Sequence, residues 1–148
     1  MAIRAGHKDH GLQIILFGIL AVAILLMTRQ SAPGKSFNVQ NITVAEAKQL
    51  IDGGAVVVDV RDASAYEARH IPEAMSIPLD ALKQAIPASL VYAKTKAIVV
   101  YCGDGVSIGP EGTALLTQAG YINAVNLKSG IQGWAAAGMP VKSANGGS

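Results

Sequence analysis

Cysteine is almost absent from this chain, since Cys102 is the only one in 148 residues. A single cysteine excludes an intramolecular disulfide, and it excludes a structural zinc site built on paired CxxC motifs. The three histidines, His7, His10 and His70, lack the spacing of metal ligands on one element. The sequence therefore predicts neither a metal site nor a bound cofactor.

An excess of charge is also lacking. Lys and Arg number 12 against 10 Asp and Glu, the formal net charge is +2, and the basic residues are scattered along the chain. A nucleic-acid-binding protein is expected to gather its basic side chains in a patch or stripe. The sequence therefore predicts no nucleic-acid partner.

One long apolar run is present near the N-terminus. Residues 11–28 read GLQIILFGILAVAILLMT, and within 12–27 only Gln13 is polar. A helix of this length spans roughly 25 Å, close to the hydrocarbon thickness of a bilayer. We expect 11–28 to form a transmembrane helix that anchors the chain through 12–27, after a tail at 1–10 and before a flexible linker at 29–37.

A cleaved signal peptide is the main alternative for this segment. The apolar run exceeds the roughly 7–15 residues of a signal-peptide core. No small-x-small cleavage site follows it, because Gln30 is misplaced in Gln30-Ser31-Ala32 and Pro33 comes next. A buried helix of a soluble core is a weaker alternative, since the run is apolar on all faces.

The orientation of the anchor rests on a small charge difference. Arg4 and Lys8 precede the apolar run, and Arg29 and Lys35 follow it, so the positive-inside rule is nearly balanced. A short basic tail before a long C-terminal domain favours the soluble domain on the extracytoplasmic, periplasmic side of the membrane.

Residues 38–141 alternate between apolar runs of strand length and stretches of helix length. The runs AVVVD at 55–59 and AIVVY at 97–101 are typical of strands buried on both faces. The alternation predicts one α/β domain with a mostly parallel central sheet flanked by helices, followed by a disordered tail at 142–148. The predicted strands are 55–59, 74–77, 97–101 and 124–127, and the predicted helices are 44–52, 63–69, 79–85, 111–119 and 131–137.

Cys102 follows directly on the predicted strand 97–101, where ligand sites of open α/β sheets lie. Glycines at 103, 105 and 109 permit a tight turn that aims several N–H groups at one point, and a helix begins soon after. Such surroundings stabilise a nucleophilic thiolate. The alternative is a buried structural cysteine, which Asp104 favours because a neighbouring carboxylate disfavours the thiolate.

The chain from about 38 to 141 resembles the rhodanese-like domain family in four stretches that occur in the family's order. One of them, which begins at Tyr101-Cys102, corresponds to the start of the family's active-site loop. Each motif is weak alone, but the ordered set is specific. The stretches are Asp59-Val60-Arg61; His70-Ile71-Pro72-Glu73-Ala74 with Ile77-Pro78, where Glu73 replaces the usual Gly; Tyr101-Cys102-x-x-Gly105; and Gly120-Tyr121, Leu127, Gly130, Trp134 and Ala137-Gly138-Met139-Pro140.

The resemblance implies a sulfurtransferase. In that family a cysteine thiolate takes a sulfane sulfur from a donor such as thiosulfate, holds it as a persulfide, and passes it to a thiophilic acceptor. By position Cys102 is the catalytic persulfide carrier, with a small sulfur donor or thiol acceptor as its partner. The resemblance implies structural roles for Asp59, Arg61 and His70. The residues that would cradle the persulfide and bind substrate are Gly103, Asp104, Gly105, Val106 and Ser107.

The loop departs from the family pattern in two ways. Many members carry an Arg five residues after the cysteine, where this chain has Ser107, so a dianionic donor loses a charge-assisted partner. The chain between Cys102 and Gly120 is also one residue longer than expected. Either the loop has seven residues, or an insertion lies near Gly109. A longer loop is similar to those of phosphatase and arsenate-reductase relatives, but Ile108 stands where their chemistry needs an Arg.

Two functions remain open from the sequence. The first is a membrane-anchored sulfurtransferase or sulfur carrier that holds a persulfide on Cys102. The second is a catalytically weak or inactive rhodanese-like module that docks in a membrane protein complex. Tethering serves both, because it raises the effective concentration near a membrane partner. The retained cysteine favours the first, and the missing Arg together with Asp104 favours the second.

Overall fold

A computed structural model describes residues 35–144 of the chain. Residues 36–144 belong to one compact unit. Among residues 35–144, no helix has the length and hydropathy needed to cross a bilayer. The predicted transmembrane helix at 11–28 and residues 145–148 lie outside the described residues.

A five-stranded parallel sheet forms the centre of the domain, in the spatial order β1-β5-β4-β2-β3. The three central strands are buried throughout, as expected for β-branched runs covered on both faces. Because all strands run the same way, their C-terminal ends meet at one edge of the sheet, which is where Cys102 lies. The strands are β1 Asn41–Ile42, β2 Val56–Asp59, β3 Met75–Ser76, β4 Ile98–Tyr101 and β5 Ala124–Leu127.

Helices cover both faces of the sheet and give it two hydrophobic cores. Alternate residues of β4 divide between them, so that Val100 packs with Leu116 on one face and Val99 packs with Trp134 on the other. The domain is therefore a three-layer α/β structure. The helices are α1 Val44–Asp52, α2 Ala63–Ala68, α3 Leu79–Gln84, α4 Gly109–Gln118 and α5 Gly130–Ala136, and a 3-10 helix spans Ala88–Ala93.

The predicted strands and helices are confirmed to within two residues at each end. Helix α4 begins at Gly109, two residues before the predicted start, because its first turn accommodates Pro110. Two elements were not predicted. Strand β1 is too short to show a periodicity and exists through its pairing with β5, and the 3-10 helix buries only Leu90 and Ala93.

The beginning of the predicted disordered tail, 142–148, is bonded to the domain. Lys142 pairs with His70 in an isolated antiparallel bridge, with both N···O distances at 2.8 Å. The N–H of Ala144 donates to the carbonyl of Glu67 at 2.9 Å. The chain therefore remains attached to the domain at least as far as Ala144.

Candidate active site

Cys102 is the first residue after β4 and begins a loop, residues 102–108, that leads into helix α4. We call this segment the cysteine loop. Its length of seven residues corresponds to the first of the two alternatives considered above, since Gly109 and Pro110 belong to the helix. The loop curls back over its own cysteine, and the N–H of Gly105 donates to Sγ of Cys102 at 3.2 Å.

The N-terminus of helix α5 anchors the first half of the loop. Ile131 N–H donates to the carbonyl of Cys102 at 2.9 Å, and Gln132 N–H donates to the carbonyl of Gly103 at 3.1 Å. Gly130 has φ +55°, and a Cβ there would lie 2.6 Å from the carbonyl oxygen of Cys102. These two bonds fix the backbone of Cys102 and Gly103, which directly precedes the Gly105 N–H that reaches the sulfur.

Strand β5 anchors the second half of the loop. Gly105 has φ +78° and lies so close to the carbonyl of Lys128 that a Cβ has no room. The carboxamide Nδ2 of Asn126 donates to the carbonyl of Gly105 at 2.8 Å and to Oδ1 of Asn41 at 2.7 Å. Sequence reasoning missed Asn126, although a polar residue within the buried strand AVNL was the available signal.

Asp104 is the main hydrogen-bond acceptor of the loop. Its Oδ1 accepts from the N–H of Val106 at 3.0 Å, from the N–H of Ser107 at 2.9 Å and from Oγ of Ser107 at 2.9 Å. The thiol of Cys102 also donates to this oxygen, at 3.4 Å. These bonds, first those from the backbone amides of Ser107 and Val106, hold the pKa of Asp104 well below its usual range.

The sulfur of Cys102 is enclosed as a result. The residue has 0 % of its surface exposed, and Oγ of Ser107 lies 3.6 Å from Sγ. Of the predicted site residues, Asp104, Gly105 and Ser107 are brought to the sulfur. Gly103 has its carbonyl turned to α5, and Val106 bonds to Asp104 through its amide while 68 % of the residue is exposed.

An open groove of about 640 Å³ borders the loop. Asp104 lines it on one side, and Lys128, Ser129 and Gln132 line it on another. The volume is in the range of small-molecule sites. A reactant of small-molecule size therefore has room beside the loop, with Asp104 between the groove and the sulfur. Within residues 35–144 no group of three His, Cys, Asp or Glu side chains is placed to hold a metal ion.

The Rhodanese-like domain family model matches residues 43–137. This range includes the complete cysteine loop and all strands of the sheet other than β1. The chain belongs to the rhodanese-like domain family. The sequence prediction of this family and of its α/β fold with a parallel central sheet is therefore confirmed.

Relatives of known sequence and structure share this domain. An uncharacterized protein of Escherichia coli strain K12, YibN, is 32 % identical over 133 residues, covering 89 % of this chain and 90 % of its own. The crystal structure of the BH2092 protein from Bacillus halodurans superposes with a TM-score of 0.60 at 27 % identity, covering 85 % of this chain and 87 % of its own. The thiosulfate sulfurtransferase of Pseudomonas aeruginosa gives a TM-score of 0.62 at 28 % identity, covering 72 % of this chain and 20 % of its own.

The rhodanese-like Asp-Val-Arg stretch supports the turn beside the loop rather than the sulfur. Asp59 is fully buried, and its Oδ2 pairs with Nη2 of Arg61 at 2.6 Å. Arg61 also donates to the carbonyl of Arg69 at 2.7 Å, and its guanidinium lies 5.6 Å from the ring centre of Tyr101. Burial, with the nearby Asp59 carboxylate as a second cause, raises the pKa of the Tyr101 hydroxyl, which accepts from Ile71 N–H at 3.1 Å.

The His70–Ala74 stretch is a second structural feature of the rhodanese-like fold. Nδ1 of His70 lies 2.8 Å from the carbonyl of Tyr66, and the two rings stack with centroids 4.0 Å apart. Glu73 has φ +63°, the one positive φ of a non-glycine residue within 35–144. This conformation explains why the family usually has Gly at this position. These contacts hold His70 in the turn between α2 and β3.

Proposed function

We propose that this chain is a membrane-anchored rhodanese-like sulfurtransferase or sulfur carrier that holds a persulfide on Cys102. The observation that carries the proposal is the placement of Sγ, which lies beyond the C-terminal end of β4 and accepts a hydrogen bond from the backbone N–H of Gly105. A sulfur atom held in this way is positioned for nucleophilic attack and for stabilisation of negative charge by backbone dipoles. The names of two relatives, the thiosulfate sulfurtransferase of Pseudomonas aeruginosa and an adenylyltransferase and sulfurtransferase of Zea mays, support this reaction class.

The fixed part of the loop supports the same role. The carbonyls of Cys102 and Gly103 are bonded to α5, and that of Gly105 is bonded to Asn126. Three anchors on two elements hold the loop backbone while the sulfur changes from thiol to persulfide. The N–H of Gly105 is held in place in advance and needs no rearrangement when the charge develops on the sulfur, which is the condition for useful electrostatic stabilisation.

The test is the intact mass of the full-length chain, purified in detergent, after incubation with thiosulfate or with glutathione persulfide. We expect a gain of about 32 Da that dithiothreitol removes, because a persulfide is a reversible cap on a thiol. Cys102→Ser is the matched control and should gain nothing. A folded wild-type chain that gains no mass from either donor would refute the sulfur-carrier proposal.

A docking module is the second candidate, and one observation favours it. Cys102 is completely buried under Asp104 and Ser107, as a structural cysteine would be. Cells that carry only the Cys102→Ser chain distinguish the two candidates. Loss of the wild-type phenotype supports sulfur transfer, whereas full retention supports docking in a membrane complex.

We further propose that residues 12–27 anchor the chain and that the domain faces the extracytoplasmic side. One support is the apolar sequence of this segment. The other is the alignment with YibN, which covers 89 % of this chain, more than residues 36–148 make up, and so extends into the N-terminal segment. Protease treatment of intact spheroplasts checks the topology. We expect the domain to be digested without detergent, and protection until the membrane is dissolved would place it on the cytoplasmic side.

A further inference from the structure

Around the sulfur of Cys102, the cysteine loop places more hydrogen-bond acceptors than hydrogen-bond donors. Gly105 N–H is the donor bonded to Sγ, while Oδ1 of Asp104 accepts from the thiol and Oγ of Ser107 lies 3.6 Å away. The amides of Val106 and Ser107, which could hold an oxyanion, are bonded to Asp104 instead. Asp104 therefore occupies, with its own carboxylate, the amides that an anionic donor would need.

A further acceptor lies near the sulfur. Oδ1 of Asn126 is buried and has no hydrogen-bond partner among the described residues. A Cβ built on Gly109 would lie 3.2 Å from Sγ of Cys102 and still closer to Oδ1 of Asn126, so both atoms border the same point. Because Gly109 fills the space beside this oxygen, Oδ1 of Asn126 adds an acceptor to the surroundings of the sulfur without itself binding the donor.

We propose that Asp104 selects the sulfur donor of this chain, so that the site takes organic persulfides, R–S–SH, in preference to oxyanionic donors such as thiosulfate. The inference rests on the proposed sulfur-carrier function. An organic persulfide reacts as an electrophile in its protonated form, and its terminal S–H is a donor for the carboxylate. Thiosulfate has only acceptor atoms and two negative charges. Residues 102–108 contain no cation to offset them, and the positive charge of Lys128, which also lines the groove, is already opposed by the charge of Asp104.

The transfer balances without any further reactant. The Cys102 thiolate attacks the terminal sulfur of R–S–SH, a new S–S bond forms at Sγ, and the S–S bond of the donor breaks. The electron pair leaves with R–S⁻, which takes up the proton that Cys102 has lost. Cys102–SH and R–S–SH thus give Cys102–S–SH and R–SH, and Asp104 moves aside from Sγ to admit the donor.

The experiment compares rates of the 32 Da mass gain for the wild type, Asp104→Asn and Asp80→Asn, each as the full-length chain in detergent. The donors are cysteine persulfide, whose amino-acid end carries no net charge, and thiosulfate. Asp104→Asn keeps the shape of the side chain and removes its charge. Asp80→Asn makes the same change of net charge on a carboxylate with 91 % of its side chain exposed in helix α3.

We expect the wild type and Asp80→Asn to prefer cysteine persulfide strongly. In Asp104→Asn the ratio of the two rates should fall about tenfold or more, mainly because the thiosulfate rate rises. An unchanged ratio in Asp104→Asn, with a normal thermal unfolding transition, overturns the proposal.

A second readout separates failure of this inference from failure of the sulfur-carrier function. Iodoacetamide is neutral and iodoacetate is an anion of similar size, and both alkylate Cys102 without sulfur transfer. We expect the iodoacetamide-to-iodoacetate rate ratio to be high in the wild type and in Asp80→Asn, and about tenfold lower in Asp104→Asn. If no donor gives a mass gain, the proposed function fails. If the alkylation ratio is also the same in all three chains, charge selection by Asp104 fails.

Discussion

Individual backbone conformations decide the geometry around Cys102. Gly105 and Gly130 have positive φ angles and lie against backbone carbonyls, so each position needs a glycine for both reasons. Neither requirement concerns the chemistry of a side chain. The backbone conformation of the cysteine loop therefore depends on two positions that have no room for a Cβ atom. The charge of the loop comes from one residue, Asp104.

Substitution of Gly105 by Ala tests this at the residue scale. We expect Gly105→Ala to destabilise the domain by roughly 2–5 kcal/mol, because a left-handed conformation and a backbone collision add together. Gly54→Ala is the matched control, since Gly54 has φ +89° with nothing within 4 Å of the new Cβ, and it should lose only about 1 kcal/mol. Urea unfolding measures both, and equal losses would contradict the collision.

At the scale of elements, helix α1 shows how local signals fix an end. Thr43 and Glu46 form a reciprocal capping box, with Thr43 N–H donating to Glu46 Oε2 at 2.8 Å. The backbone bond from Thr43 is the first cause, and its hydroxyl the second, of the lowered pKa of Glu46. A lowered pKa stabilises the domain above the carboxyl's unfolded pKa, and that stabilisation is lost as the pH falls through the folded pKa.

Thr43→Ala should therefore reduce the free energy of unfolding by about 1 kcal/mol at neutral pH. The deficit relative to the wild type should shrink in acid, because protonated Glu46 no longer completes the box. Chemical unfolding at neutral and acidic pH measures both effects. Thr95→Ala, in the turn after the 3-10 helix, provides a comparison outside any cap box. A deficit that stays constant with pH would contradict the contribution of Glu46.

At the scale of the whole domain, Asn126 joins the site to the edge of the sheet. Its Nδ2 bonds both the loop carbonyl of Gly105 and the side chain of Asn41, 85 residues away in sequence. Asn126 thereby links β1, β5 and the cysteine loop. A change that weakens the attachment of the edge strand β1 should therefore alter the position of the cysteine loop around the sulfur.

Asn126→Ala should cost roughly 2–4 kcal/mol, since it leaves a buried carbonyl without a partner and opens a cavity. It should also speed alkylation of Cys102 by iodoacetamide, because the loop loses one of its anchors. Asn123→Ala is the control, as Asn123 is exposed and its side chain donates at 3.5 Å to the carbonyl of Thr95. Equal stability and equal alkylation rates of the two variants would contradict the link.

Elements whose causes are local could be predicted from the amino-acid sequence. Runs of β-branched residues specify β2 and β4, and the Thr43–Glu46 capping box specifies the start of α1. The position of Cys102 directly after a buried strand was enough to place it at the C-terminal edge of a parallel sheet. Such features depend on residues a few positions apart, so they can be predicted without knowledge of the tertiary structure.

The surroundings of the sulfur depend on contacts between residues that are distant in the sequence. The loop is contacted by residues of β5 and of the segment that leads into α5, namely Asn126, Lys128 and Gly130. A local sequence pattern does not predict contacts between residues 20 or more positions apart. The sequence showed Asp104 as a charge near the thiol, but not that its Oδ1 would take the amides of Val106 and Ser107. Hydrogen-bond partners in a loop depend on where the anchoring elements fix its backbone, and that is set by the packing of the whole domain.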